Sequence, residues 1–176
     1  MRSSDKNKFM ESDVALYGMF VSVALVMSYI ESLIPINPPV PGIKLGLANI
    51  VIIWVLYSMG IKPAAIISVL RVLLAGFLFG NLYSIIFSMA GAVFSLAVMF
   101  FLKKVRFFTV IGVSIAGGVA HNLAQTVVAM IVLENVWMAS YFPALLVSGV
   151  VSGIAIGILG GILYRKIKIL QPDKKQ

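Results

Sequence analysis

Six long apolar runs, parted only by short polar marks, constrain this chain more than any other feature. They cover residues 14–34, 44–59, 64–79, 82–102, 107–133 and 140–164. The marks between them are a proline-rich stretch at 35–41, Gly60-Ile61-Lys62-Pro63, Gly80-Asn81, Lys103-Lys104-Val105-Arg106, and Glu134-Asn135 followed by Trp137. A membrane-crossing helix needs about 20 mostly apolar residues. With 61% of 176 residues hydrophobic and only 11% charged, the chain cannot clothe a water-facing surface, since soluble domains carry about 25% charged residues. The expected fold is an all-α integral membrane protein of six transmembrane helices. A polar tail at 1–13 precedes the membrane domain at 14–164, and a basic tail at 165–176 follows it. The runs are continuous rather than alternating, which argues against a β-barrel. The second and third are short and the turn at Gly80 is tight, leaving room for a broken or tilted helix there.

Charge position sets the expected orientation. Residues 1–13 mix Arg2, Lys6 and Lys8 with Asp5, Glu11 and Asp13, and the apolar run behind them is too long for a signal peptide and lacks a small-x-small cleavage site. They read as a retained polar tail. With that tail inside, 12 of the 14 basic residues fall on inside segments. Both termini are then cytoplasmic, in accord with the positive-inside rule. Lys44 lies in or beside an outside loop and Arg71 within a span. The formal charge of +8 is explained by topology and anionic lipid headgroups, so nucleic-acid binding loses its motivation. Cysteine is absent, which excludes disulfides, thiolate metal sites and cysteine nucleophiles.

The last run carries the clearest packing signal. Gly149, Gly153, Gly157 and Gly161 repeat every fourth residue, with Ser148, Ser152 and Gly160 on the adjoining ridge, so another helix can approach closely, either within the bundle or from a partner protein. Gly18 and Ser22 form a weaker version in the first run.

Chemistry must come from polar groups inside the membrane, where a charge costs about 2.5–3.5 kcal/mol on insertion scales and faces a cavity or a partner. Arg71 stands at the middle of the third run. It reads as one half of a buried pair with Glu31 or as a binder of an anion or polar headgroup, and the two are compatible if ligand displaces Glu31. In the fifth run His121 and Gln125 stand four apart and Asn122 and Gln125 three apart, which places all three on one helical face near mid-membrane. Three strong hydrogen-bonding groups there suggest a lined cavity, with interhelical glue as the alternative. One histidine, no cysteine and one intramembrane carboxylate argue against a metal site. A Ser-His-Asp triad fails because Asp5, Asp13 and Asp173 all sit in terminal tails. The stretch 35–44 holds four prolines, which makes it a stiff connector or a rigid lid over an outward-facing pocket. Gly46 permits close backbone approach, and Asn49 offers both donor and acceptor.

Four segments carry a family resemblance: Glu31-Ser32-Leu33-Ile34-Pro35; Pro41-Gly42-Ile43-Lys44-Leu45-Gly46-Leu47-Ala48-Asn49; Arg71-Val72-Leu73-Leu74-Ala75-Gly76; and His121-Asn122-Leu123-Ala124-Gln125. Together they resemble the bacterial Gx transporter family, also labelled heptaprenyl diphosphate synthase component I. That family is similar to the substrate-binding S components of energy-coupling factor (ECF) vitamin transporters. The resemblance implies a six-helix S-component-like bundle in the bacterial cytoplasmic membrane with a small-molecule pocket opening outward. It also implies docking onto a transmembrane coupling protein driven by cytoplasmic ATPases. S components commonly dock through an alanine-rich Ala-x-x-x-Ala stripe in the first helix, and the nearest equivalent here is Gly18-x-x-x-Ser22.

The synthase label can be tested on residues. Trans-prenyl synthases hold diphosphates through Mg²⁺ on aspartate clusters, because a hard cation needs several carboxylate oxygens. No aspartate lies in a span or outer loop of this chain, and no phosphate loop is present. The expectation is therefore a non-enzymatic subunit without a cofactor, embedded in membrane lipid and capturing a small-molecule ligand from the outer face. Its polar contacts would come from Glu31, Lys44, Asn49, Arg71, Asn81, His121, Asn122 and Gln125, with Tyr29, Trp54 and Tyr83 as stacking surfaces. The competing readings are a non-catalytic membrane component of heptaprenyl diphosphate synthase, and a binding or anchoring component of a quinone- or flavin-linked membrane system.

Overall fold

Helices account for nearly all of the regular structure. The computed structural model describes residues 3–34, 46–105 and 107–170, with side chains over 14–34, 46–105 and 107–166. Within these the chain forms α1 (Ser3–Leu33), α2 (Ala48–Ser58), α3 (Ile61–Phe79), α4 (Leu82–Lys104), α5 (Val110–Val132), a 3₁₀ turn (Val136–Tyr141) and α6 (Phe142–Leu170), and no strand. Five helices are long and apolar enough to cross a membrane, α1 through its apolar part Val14–Leu33. The protein is a multi-pass membrane protein.

The departure from expectation is α2. Within the described part of the apolar run 44–59, α2 covers only 11 residues, about 16 Å at 1.5 Å per residue, or half of a hydrocarbon core about 30 Å thick. Hydropathy counts apolar residues and is blind to backbone breaks. Gly46 stands at φ +73°, a left-handed conformation that only glycine adopts cheaply, so the helix begins after it. Gly60, at φ +97°, makes the corresponding sharp turn from α2 into α3. The expected break at Gly80-Asn81 is observed. The Asn81 side chain accepts the Ser84 N–H at 2.8 Å and caps α4, satisfying a donor that has no intrahelical partner.

Helices α2 through α6 form a closed ring. Each packs on the next in chain order, and α6 returns to pack on α2, while α1 lies against α2 and α3. The distribution of polarity is inverted relative to a soluble protein. Large apolar side chains such as Phe77, Phe101, Val147 and Val151 are exposed on the outside, as lipid contact requires, while Ser68, Ser95, Ser114 and Thr126 are buried between helices. An apolar core of Ile53, Leu56, Ile67 and Val113 closes part of the bundle.

The glycine stripe of α6 packs within the chain. A β-carbon added at Gly153 would lie 2.6 Å from the Ile115 Cα, one at Gly157 2.7 Å from the Ile111 Cα, and one at Gly149 3.0 Å from the Gly118 carbonyl. Bare backbone on α6 thus meets bare backbone on α5, the seam that small residues permit in lipid. Gly161 is looser, with its nearest neighbour, Val110, at 3.9 Å. Of the two origins open for the partner of this stripe, the bundle itself supplies it. Gly18 differs, since an added β-carbon there meets nothing within 4 Å, and Ser22 turns its hydroxyl to the Gly18 carbonyl at 2.8 Å.

Candidate functional site

A polar cavity of about 60 Å³ lies inside the ring, and ten of its sixteen lining residues carry polar side chains. Every helix contributes. At one end stand Glu31 from the end of α1, Gly46, and Asn49 in the first turn of α2. Arg71 reaches in from mid-α3, and His121, Asn122 and Gln125 from mid-α5. Ile53, Met99 and Ile156 give it an apolar margin.

The polar contacts cross-link elements. The Gly46 N–H donates to the Glu31 Oε1 at 2.7 Å, tying α1 to the start of α2. The Arg71 Nη2 donates to the Asn49 Oδ1 at 3.2 Å, tying α3 to that same first turn. Glu31 and Arg71 therefore share the cavity while each is turned to the α2 entry. Arg71 Nε is fully buried and has no partner among the described residues. Among the described residues the site thus carries an unmet donor, and in a low-dielectric interior an unmade hydrogen bond of this kind costs about 1–3 kcal/mol. On the α5 side, Asn122 Nδ2 donates to the Leu145 carbonyl of α6 at 2.6 Å, and Thr126 donates its hydroxyl to the Asn122 carbonyl at 2.7 Å. The His121 ring fills a notch in α4, where a β-carbon on Gly91 would come within 2.7 Å of its Cε1 and Nε2.

Six of the eight residues expected to make polar contacts meet here: Glu31, Asn49, Arg71, His121, Asn122 and Gln125. Asn81 does not join them, because its side chain is committed to capping α4. Lys44 and the proline-rich stretch fall outside the described residues. The three candidate stacking aromatics are engaged elsewhere: Trp54 packs on Phe20, Tyr29 on Phe79 and Tyr83 on Phe87, at centroid distances of 4.9, 5.1 and 6.2 Å.

Sequence reasoning missed the serines Ser88, Ser95, Ser114 and Ser152, all of which line the cavity. A signal was present. Ser88 and Ser95 are seven residues apart on α4, as are Ser114 and His121 on α5, the two-turn spacing that keeps side chains on one face. Serine carries little hydropathy weight, so this faint period is easily lost.

The cavity's size limits what it can do. A water needs about 10–15 Å³ by this measure, whereas drug-sized ligands occupy pockets of about 300–1,000 Å³. The space suits a few waters or one compact polar group. Among the described residues no cluster of three or more His, Cys, Asp or Glu could hold a metal ion. A second, apolar groove of about 270 Å³ runs between α3 and α4, lined by Ala65, Val69, Val93 and Phe101 among others.

The family model described as heptaprenyl diphosphate synthase component I matches residues 20–163, and the chain belongs to that family. No curated protein and no solved structure matches it.

Proposed function

We propose that this member of the heptaprenyl diphosphate synthase component I family is a non-catalytic membrane subunit of a prenyl diphosphate synthase system. In this reading it holds a compact polar ligand, or the polar end of a larger one, in the cavity around Arg71. The supporting observation is the guanidinium at mid-membrane with its Nε buried and without a partner among the described residues, in a cavity it shares with Glu31 and several neutral hydrogen-bonding side chains. A charge at such depth is costly and is kept where it meets a ligand or partner. Bond-making chemistry belongs on another chain. Prenyl transfer needs Mg²⁺ on several carboxylates, and among the described residues Glu31 is the sole carboxylate lining this cavity. The distribution of Lys and Arg supports cytoplasmic termini in a bacterial inner membrane, which turns the Glu31 and Gly46 end of the cavity outward.

A second reading, S-component-like capture of a solute from outside, is favoured by the open face at Gly18, where a coupling protein with cytoplasmic ATPases could dock. Purification of the tagged full chain from its native membrane, with identification of stoichiometric partners, separates the two. A soluble prenyl diphosphate synthase is the expected partner. ATP-hydrolysing subunits would transfer support to capture, and purification without either would overturn the subunit assignment.

A further inference from the structure

Resting on the reading that the cavity binds a ligand, we propose that its binding position is an oxyanion position at the entry of α2, which Glu31 occupies as a resident surrogate and yields to a phosphate-type group. Helix α2 begins inside the bundle. Ala48 is fully buried, and the N-cap residue Leu47 offers no side-chain cap. The start of a helix carries partial positive charge, which favours an anion. Here the Asn49 and Ile50 N–H groups already donate to the Gly46 and Leu47 carbonyls at 2.8 and 3.2 Å, so the dipole, rather than those two donors, is what the helix start offers. A helix start alone would be a weak argument, but here a second group points at the same place. Arg71 sets its Nη2 on Asn49, in the first turn of α2, at 3.2 Å, and its Nε is buried without a partner among the described residues.

The local backbone is shaped for close approach. Gly46 sits at φ +73°, and a β-carbon there would come 3.1 Å from Ile156 Cδ1 and 3.2 Å from Asn49 Nδ2. Its N–H already donates to a carboxylate oxygen, that of Glu31, at 2.7 Å. A carboxyl oxygen is thus accepted at this point, and it comes from a side chain at the end of α1. An incoming phosphate-type oxyanion would take the Gly46 N–H and offer further acceptor lone pairs to Arg71, whose planar fork matches such oxygens. Gln125 lines the same space as an additional donor. The volume of about 60 Å³ admits a compact oxyanion and excludes a bulky ring system.

Competition between like charges gives the test. Glu31→Gln keeps the size and an oxygen for the Gly46 N–H but removes the competing charge. Wild type and Glu31→Gln, both full-length in lipid nanodiscs and matched for thermal midpoint, would be titrated calorimetrically with inorganic diphosphate and with farnesyl diphosphate. The variant is expected to bind diphosphate about tenfold or more tightly than wild type, since two anions a few ångströms apart repel strongly at the effective dielectric of a protein. An equal gain on both probes assigns a free oxyanion, and a gain confined to farnesyl diphosphate assigns a prenyl-linked headgroup. Equal or weaker binding by the variant overturns the displacement while leaving ligand binding in the cavity standing. Failure of both proteins to bind either probe overturns the oxyanion position. Ligand binding itself would then be judged by whether native mass spectrometry of the wild type finds a retained molecule of another class.

Discussion

Replacing Gly153 with alanine tests whether the α5–α6 seam holds the bundle. The added carbon would lie 2.6 Å from Ile115 Cα and 3.0 Å from both the Ile115 nitrogen and the Ser114 carbonyl oxygen. All three are backbone atoms, so no rotamer change relieves the clash. Ordinary contact requires about 3.5–4.0 Å, and the two helices must separate by about 1 Å. Overpacking of this kind costs about 1–3 kcal/mol, and alanine returns about 0.5–1 kcal/mol of helix propensity. The net loss is on the order of 1–2 kcal/mol, equivalent to a midpoint about 2–8 °C lower at roughly 2–4 °C per kcal/mol for a chain of this size. Gly18→Ala, where nothing lies within 4 Å, and Gly161→Ala, with its nearest atom at 3.9 Å, should leave the midpoint unchanged or slightly raised. Fluorescence-detected size-exclusion thermal scans in one detergent would compare the three. A Gly153→Ala midpoint within a degree of Gly18→Ala would refute the close seam.

Gly91→Ala should push the His121 ring out of its notch, because the new carbon would stand 2.7 Å from Cε1 and Nε2; ligand affinity should fall several-fold in a binding titration, with only a small change in thermal midpoint. Asn81→Ala removes the α4 cap and should cost about 1 kcal/mol of stability, seen in a thermal scan, while ligand affinity stays at the wild-type value. Lys103→Met removes the 2.6 Å bond from Nζ to the Leu56 carbonyl and the cation over Tyr57. About 1 kcal/mol should be lost at this partly exposed contact, with faster amide exchange over α2 by mass spectrometry.

Much of this organisation is legible in residue type and spacing. The apolar runs mark five full-length helices, and Gly-x-x-x-Gly repetition marks the α6 seam because backbone approach in lipid depends directly on side-chain size. Arg71, His121, Asn122 and Gln125 stand out since hydropathy makes each an expensive choice at mid-span. Glu31 and Asn49 join them only through the turn at Gly46, a long-range juxtaposition that no local period records. The length of α2 is hidden for a different reason. An apolar run looks the same whether its backbone is helical throughout or broken by one glycine at positive φ. Asn81 resembles a polar site residue by composition, yet the backbone N–H of Ser84, three residues on, claims its side chain. The serines are cheap enough in lipid to pass without notice.

The most direct test of the central claim is native mass spectrometry of the full chain released gently from its own membrane, wild type beside Arg71→Gln, with circular dichroism confirming equal helix content. A charge-assisted hydrogen bond contributes about 1.5–3 kcal/mol, so the variant should hold ligand at least tenfold more weakly. The account predicts a bound small molecule or polar headgroup on the wild type that is lost from the variant. The same adducts on both proteins, or none on either, would contradict it.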